Sequence, residues 1–235
     1  DDPPQWSSDG QWLAYTDKGP VWVVAASGGI PRKISDFTSG AGAPRWMPKS
    51  HNLLITTSRG GQTHILMTDR DGAWPRPVSS APDRAGPGGH ACSPHVAPDG
   101  LNVVYVHQSL DDLNRTDLMI SNLQTGEVTP LTSTANRHDT TPRWSPDGRY
   151  IAFLSDRSGF YELFMLDFET RQERQITHAG HDLGGIDWSP DGTRIVCTVN
   201  RGGALDLAIV DVQTGELRDL RTAFGVHSRP HWLPD

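Results

Sequence analysis

Two cysteines, Cys92 and Cys197, are too few for a disulfide-stapled scaffold, and no Cys-x-x-Cys pair is present to hold zinc or run redox chemistry. Apolar residues never run far: the longest stretches are a few residues, against the roughly 18 that a membrane-spanning helix needs. No membrane span is expected. Basic runs are also missing, and the formal charge of −7 argues against a nucleic-acid surface. No segment sustains an apolar i, i+3, i+4 pattern, so helices are expected to be nearly absent and a coiled coil is excluded. The opening Asp1-Asp2-Pro3-Pro4 has neither a basic nor an apolar signal-peptide region, so no such peptide is expected in these residues. Catalytic signatures are missing as well. No Gly-x-Ser-x-Gly occurs; the nearest strings, Ser27-Gly28-Gly29 and Ser39-Gly40, lack the leading glycine. Neither His-Glu-x-x-His nor Gly-x4-Gly-Lys appears.

Glycine and proline, by contrast, are plentiful. The 24 Gly and 18 Pro make up about 18% of the chain, below the ~25–30% of low-complexity disorder and typical of a folded, turn-rich protein. They recur in one phrase, Pro-x-Trp-Ser-x-Asp-Gly. It stands at Pro4-Gln5-Trp6-Ser7-Ser8-Asp9-Gly10, at Pro142-Arg143-Trp144-Ser145-Pro146-Asp147-Gly148 and, with Ile186 leading, through Trp188-Ser189-Pro190-Asp191-Gly192. Degenerate copies surround Trp46 and Val96, and a sixth opens at Pro230-His231-Trp232. The anchors 6, 46, 96, 144, 188 and 232 are spaced by 40, 50, 48, 44 and 44 residues.

Each copy continues alike. An alternating apolar run follows the phrase (Trp12–Tyr15, Leu53–Ile55, Val103–Val106, Tyr150–Leu154, Ile195–Val199). After a polar turn comes a third strand (Val21–Val24, His64–Met67, Leu118–Ile120, Glu162–Leu166, Leu207–Val210), then a short edge strand around Ile34, Val78, Leu131, Ile176 or Leu220. Four strands in about 44 residues match one blade of a β-propeller. The fold expected is all-β: a β-propeller of four-stranded antiparallel blades, five complete blades plus the first strand of a sixth. The repeats run approximately 3–40, 43–82, 92–135, 141–182 and 185–226, with the sixth beginning at 229–235, in a single domain of residues 1–235.

Asp-Gly supplies the tight hairpin and the preceding proline presets it. Trp6, Trp46, Trp144, Trp188 and Trp232 take one slot per repeat. Such repetition predicts core packing between blades rather than cofactor stacking. Cys197 takes the slot of Phe153 one repeat earlier, which predicts a buried thiol, whereas Cys92 is expected in an entry loop. Asp69-Arg70-Asp71-Gly72 lies where other repeats have a hairpin, so a plain turn is expected there rather than a calcium loop. Asn114-Arg115-Thr116 matches a glycosylation sequon, within a charged insert from Gln108 to Asp117 that is either a partner-contacting loop or a tolerated insertion.

The stretch from Trp144-Ser145-Pro146-Asp147-Gly148 through Ile151-Ala152-Phe153-Leu154-Ser155-Asp156-Arg157-Ser158-Gly159 to Glu162-Leu163-Phe164-Met165-Leu166-Asp167 resembles the WD40-like repeat of TolB-type propellers. The same repeat occurs in the N-terminal propellers of prolyl-oligopeptidase-family serine peptidases. The TolB resemblance implies a non-catalytic scaffold that binds a protein or peptide through its faces and tunnel, in a periplasmic or secreted setting, with a cytoplasmic one as the alternative. The peptidase resemblance implies a propeller that gates substrate for a serine exopeptidase whose hydrolase domain lies outside these residues. Blade lengths match six-bladed relatives. Either five blades close with the last segment spare, or, as the blade lengths favour, a six-bladed ring is left open or the chain is a piece of a longer propeller, whose edges favour a second copy.

Histidines precede four anchors by five to seven residues: His90, His138, His181 and His227, two of them followed by Asp139 and Asp182. They fall in loops that enter the innermost strands, where loops of a propeller converge on one tunnel mouth. These six residues are the binding candidates. His138, His181 and His227 are also candidate ligands for a divalent metal, the arrangement that propeller lyases use. The expectation without that ring is a protein with no cofactor.

Overall fold

The computed structural model describes residues 4–35, 44–79, 89–202, 205–220 and 230–232. Every regular element among them is a strand, and none is a helix long and apolar enough to cross a membrane. The strands form five four-stranded antiparallel sheets, each built from four strands consecutive in the chain. The first contains β1 (Gln5–Trp6), β2 (Trp12–Thr16), β3 (Val21–Ala25) and β4 (Arg32–Lys33). The second contains β5 (Arg45–Trp46), β6 (Asn52–Arg59), β7 (Gln62–Asp69) and β8 (Arg76–Pro77). The third contains β9 (Gly89–Val96), β10 (Asn102–Ser109), β11 (Asp117–Asn122) and β12 (Val128–Pro130). The fourth contains β13 (Asp139–Trp144), β14 (Tyr150–Ser155), β15 (Glu162–Asp167) and β16 (Glu173–Gln175). The fifth contains β17 (Asp182–Trp188), β18 (Arg194–Asn200), β19 (Leu205–Asp211) and β20 (Leu217–Leu220).

Two compact units divide the chain. The first comprises Asp1–Leu113 with Leu118–Pro130; the second comprises Asn114–Asp117 with Leu131–Asp235. Within the first, the alternation of β6 distributes its apolar residues to two sides. Leu53 and Ile55 join Ala14, Val21 and Val23 of the first blade, while Leu54 joins Val103 and Tyr105 of the third. Burial on both faces explains why these runs are almost continuously apolar. In the second unit Leu154, Leu163 and Met165 pack with Trp188, Ile195, Cys197 and Val210. Cys197 is fully buried in the slot equivalent to Phe153, as the repeat alignment predicts.

The recurrent phrase builds one device. Ser145 Oγ donates to Asp147 Oδ1 at 2.5 Å and accepts from the Tyr150 amide at 2.9 Å, while Asp147 Oδ1 also accepts from the Arg149 amide. Ser7 and Ser189 do the same with Asp9 and Asp191. Gly10, Gly148 and Gly192 close these turns at φ of +68°, +73° and +69°, a conformation natural to glycine. The second blade has Pro48-Lys49-Ser50 instead; there Lys49 takes the positive φ and Ser50 Oγ caps the Asn52 amide at 3.2 Å.

A second device went unrecognised in the sequence. The edge strands β4, β8 and β16 end just before Ile34, Val78 and Ile176, which are buried and donate back to the carbonyls of Val21, Ile65 and Leu163. The hydroxyl that follows each of them (Ser35, Ser79, Thr177) accepts from the amide of that same third-strand residue, at 2.9–3.0 Å. The dipeptides Ile-Ser, Val-Ser and Ile-Thr thus pin each outer edge to its blade.

One expectation needs correction. Trp6 is 59% exposed, whereas Trp144 and Trp188 are buried and Trp46 is half-buried. Two of the packed anchors lean on the blade before them: Trp46 Nε1 donates to the Gln5 carbonyl and Trp188 Nε1 to the Arg143 carbonyl. Among the described residues no blade precedes Trp6. Residues 230–232 form no strand pairing. They dock on the fifth blade, where the Trp232 amide donates to Asp187 Oδ2 and Arg194 lies over the Trp232 ring.

Candidate functional site

The innermost strands of the third, fourth and fifth blades share an irregularity three residues before their anchors. A bulge interrupts the register of β9 with β10, β13 with β14 and β17 with β18. The residues there, Ser93, Thr141 and Gly185, have φ of +53°, +54° and +46°. Such a bulge bends the strand and re-aims the side chains around it. The positive φ is costly for a β-branched residue such as Thr141.

The bulge lengthens β9, so His90 lies inside that strand opposite Gln108 rather than in an entry loop. Its Nδ1 is 3.5 Å from Thr63 Oγ1. Cys92 is likewise on the strand and not in a loop; it is exposed and free. His138 and His181 stand just before β13 and β17, as expected of entry positions. His227 lies outside the described residues.

His138 is half-buried. Its amide donates to Asp156 Oδ1 at 2.8 Å, its Nδ1 is 3.5 Å from Thr116 Oγ1, and it bridges Thr116 in parallel fashion. Asp139 is fully buried, and its two oxygens accept from Arg157 Nη2 at 2.9 and 3.0 Å. The rest of that guanidinium is equally committed: Nε donates to Ser155 Oγ and Nη1 to Glu173 Oε2. Its plane also lies 4.7 Å from the Phe164 centroid. Desolvation opposes the Arg157 charge, but the bonds to Asp139 and Glu173 outweigh it and raise the pKa.

At the neighbouring blade, exposed Asp182 accepts from the Tyr161 amide at 2.9 Å. Partial burial first, then the charges of Asp156 and Asp182, push the Tyr161 phenol up from its ordinary value. Those two carboxylates come one from each blade. Behind them Glu162, also buried, accepts from Thr177 Oγ1 at 2.5 Å and from the Gly180 amide at 2.9 Å, which fixes the loop that leads to His181. Among the described residues no three His, Cys, Asp or Glu side chains gather as a metal site would require.

The family described as Dipeptidyl peptidase IV (DPP IV) N-terminal region matches residues 97–188. An uncharacterized peptidase of Bacillus subtilis, YuxL, is 29% identical over 65% of this chain and 21% of its own length. The putative TolB of Agrobacterium tumefaciens superposes with a TM-score of 0.71 at 21% identity, over 92% of this chain and 78% of that one. The chain has the β-propeller fold, and it is similar both to TolB and to the propellers of peptidases. A puromycin-hydrolyzing peptidase of Mycobacterium tuberculosis superposes on the propeller with a TM-score of 0.76 at 14% identity, over 97% of this chain and 39% of its own. The matched segment thus spans only about a fifth of the length of the peptidase relative from B. subtilis.

Burial, together with the charges of Asp219 and Glu162, pushes the Cys197 thiol up to about 12. A thiolate is the reactive form. The groups that the sequence did not single out are Arg157, Asp156 and Tyr161. Their signal was present in Ser155-Asp156-Arg157-Ser158-Gly159, read only as a polar turn.

Proposed function

We propose that this chain is a non-catalytic propeller that receives a protein or peptide at the strand ends carrying His138, Asp156, Tyr161 and Asp182. The state of Asp139 carries this reading. The one buried carboxylate of the candidate set is neutralised by Arg157, so the surface offers hydrogen-bonding groups and no carboxylate poised as a general base. Accessible carboxylates together with a phenol are chemistry for recognition, suited to amides and amines of a polypeptide. The TolB likeness supports a protein-binding role and a periplasmic or secreted setting. A second reading is favoured by the match of residues 97–188 to a peptidase N-terminal region: here the same surface admits peptides to a hydrolase domain.

Both readings make this chain a receiver of peptides that does not cleave them. Incubation with puromycin and dipeptidyl nitroanilides should give no turnover above buffer. Titration with a library of unstructured peptides should shift the amide resonances of Tyr161 and Asp182 saturably. Hydrolysis by the chain, or a library that leaves those amides unmoved, overturns the proposal. The two readings separate on the gene: a Gly-x-Ser-x-Gly segment encoded beyond residue 235 decides for the peptidase.

A further inference from the structure

Strand registers allow two seams between neighbouring blades to be compared position by position. Trp12 and Tyr150 each start a second strand, six residues after Trp6 and Trp144, and the same alignment equates Asp9 with Asp147. On the following blade it equates Lys49, His51 and Arg70 with Asp191, Thr193 and Val212.

In the seam between the first two blades, an imidazole and a guanidinium occupy the space between the turns. His51 Nε2 lies 2.7 Å from Asp9 Oδ2, and the Arg70 guanidinium stands 4.5 Å above the centre of the Trp12 ring. Between the fourth and fifth blades His51 and Arg70 have no basic counterpart. Thr193 turns its hydroxyl onto Asp191 Oδ1 at 2.8 Å, Val212 stands in the place of Arg70, and it is Arg149, from the aromatic residue's own blade, that lies 5.0 Å from the centre of the Tyr150 ring. An open cleft of about 560 Å³ results, walled by Met165, Trp188 and Val212 and rimmed by Asp147, Asp191 and Asp211.

Each rim carboxylate commits Oδ1 to its own turn. Among the described residues no hydrogen bond reaches the Oδ2 of any of the three. The basic side chains nearby are occupied. Arg174, at the cleft, donates to the Val212 carbonyl; Arg149 donates to Asp167; Arg194 covers the Trp232 ring. Arg149 and Arg194 are near enough to act on these charges but donate no hydrogen bond to them, so the cleft combines open carboxylate oxygens with an apolar wall.

We propose that this cleft seats a lysine or arginine side chain of a partner polypeptide. The cationic head meets Asp147 and Asp191, and the aliphatic stem lies along Met165 and Trp188. The protein's own His51 and Arg70 show how such a seam is filled. A bare metal ion fits poorly, because the carboxylates do not gather into a ligand cluster. The cleft lies at the strand ends opposite those of His138 and Asp182 within the same blades, and it stands independently of the reading above.

The test is amide NMR of the whole chain with the peptide N-acetyl-Ala-Arg-Ala-amide and its norleucine counterpart. The arginine peptide should shift the resonances of Arg149, Thr193 and Gln213 saturably, with the norleucine peptide at least about tenfold weaker. Thr193→His with Val212→Arg, which imports the side chains of the other seam, should abolish the response and leave other resonances in place. If that pair unfolds the protein, Asp191→Lys, restoring the residue type of Lys49, must abolish it instead. Equal response to norleucine, retained binding in the filled cleft, or silence at these turns overturns the proposal.

Discussion

The Trp188 indole donates its Nε1–H to the carbonyl of Arg143 at 3.1 Å, joining residues 45 apart in sequence and two adjacent blades. Trp46 repeats the arrangement on Gln5 at 2.9 Å. The anchor is therefore both a packed ring and a directed bond. Trp188→Phe keeps most of the ring and removes the bond, and should cost about 1–2 kcal/mol in urea unfolding. Trp6→Phe, on an exposed ring, should cost about 0.5 kcal/mol or less. Equal losses for the two would show that the bond contributes nothing.

Arg157 is the counterpart of a carboxylate that has no access to water. Arg157→Ala strands Asp139 in the interior and should destabilise by about 3–5 kcal/mol. Adding Asp139→Leu to that variant should recover part of the loss, since the uncompensated charge is then removed. The double-mutant cycle by chemical unfolding reads this directly, and purely additive losses would contradict it.

The Ser189 hydroxyl, followed by the Thr193 amide and hydroxyl, holds the Asp191 carboxyl down to about 2. A lowered folded value means the ionised form is favoured in the folded state. The resulting stabilisation is complete above the ordinary aspartate value of 3.8 and fades as the pH falls through about 2. A carboxyl carbon NMR titration should place the Asp191 midpoint near that figure, and Ser189→Ala should move it upward. A midpoint unmoved by that substitution would remove the hydroxyl as the cause.

Thr141 and Gly185 occupy the same bulge position with φ of +54° and +46°. Only one of them is suited to it. Thr141→Gly should be neutral or stabilising by up to about 1 kcal/mol, while Gly185→Thr should lose at least about 1 kcal/mol. Thermal unfolding of both variants checks the pair. A loss on Thr141→Gly of the same size as on Gly185→Thr would mean that the threonine side chain outweighs its backbone strain.

The blade plan was legible because it is written in local terms. Trp-Ser-Pro-Asp-Gly encodes a turn, alternation encodes a strand, and both recur often enough to be recognised. What lay outside that reach depends on neighbours distant in sequence. Trp6 and Trp188 are the same residue in the same phrase, yet only a preceding blade buries the ring. His90 and His138 are equally spaced from their anchors, but an extended β9 draws the first into a ladder. Asp139 looked like a free ligand beside a histidine; only the fold brings Arg157, 18 residues on, against it. The hydroxyls of Ser35, Ser79 and Thr177 could have been found from their position after a lone apolar residue, a pattern overshadowed by the larger tryptophan repeat.

The outermost strands run to only two to four residues and carry Arg32, Lys33, Arg76, Pro77, Glu173, Arg174 and Arg218. A ladder that short, charged and interrupted by proline is a poor template for a foreign strand. Five sheets in one chain would otherwise present five sites for fibrous accretion. Short, charged edges of this kind leave little continuous ladder for a misfolded neighbour to extend.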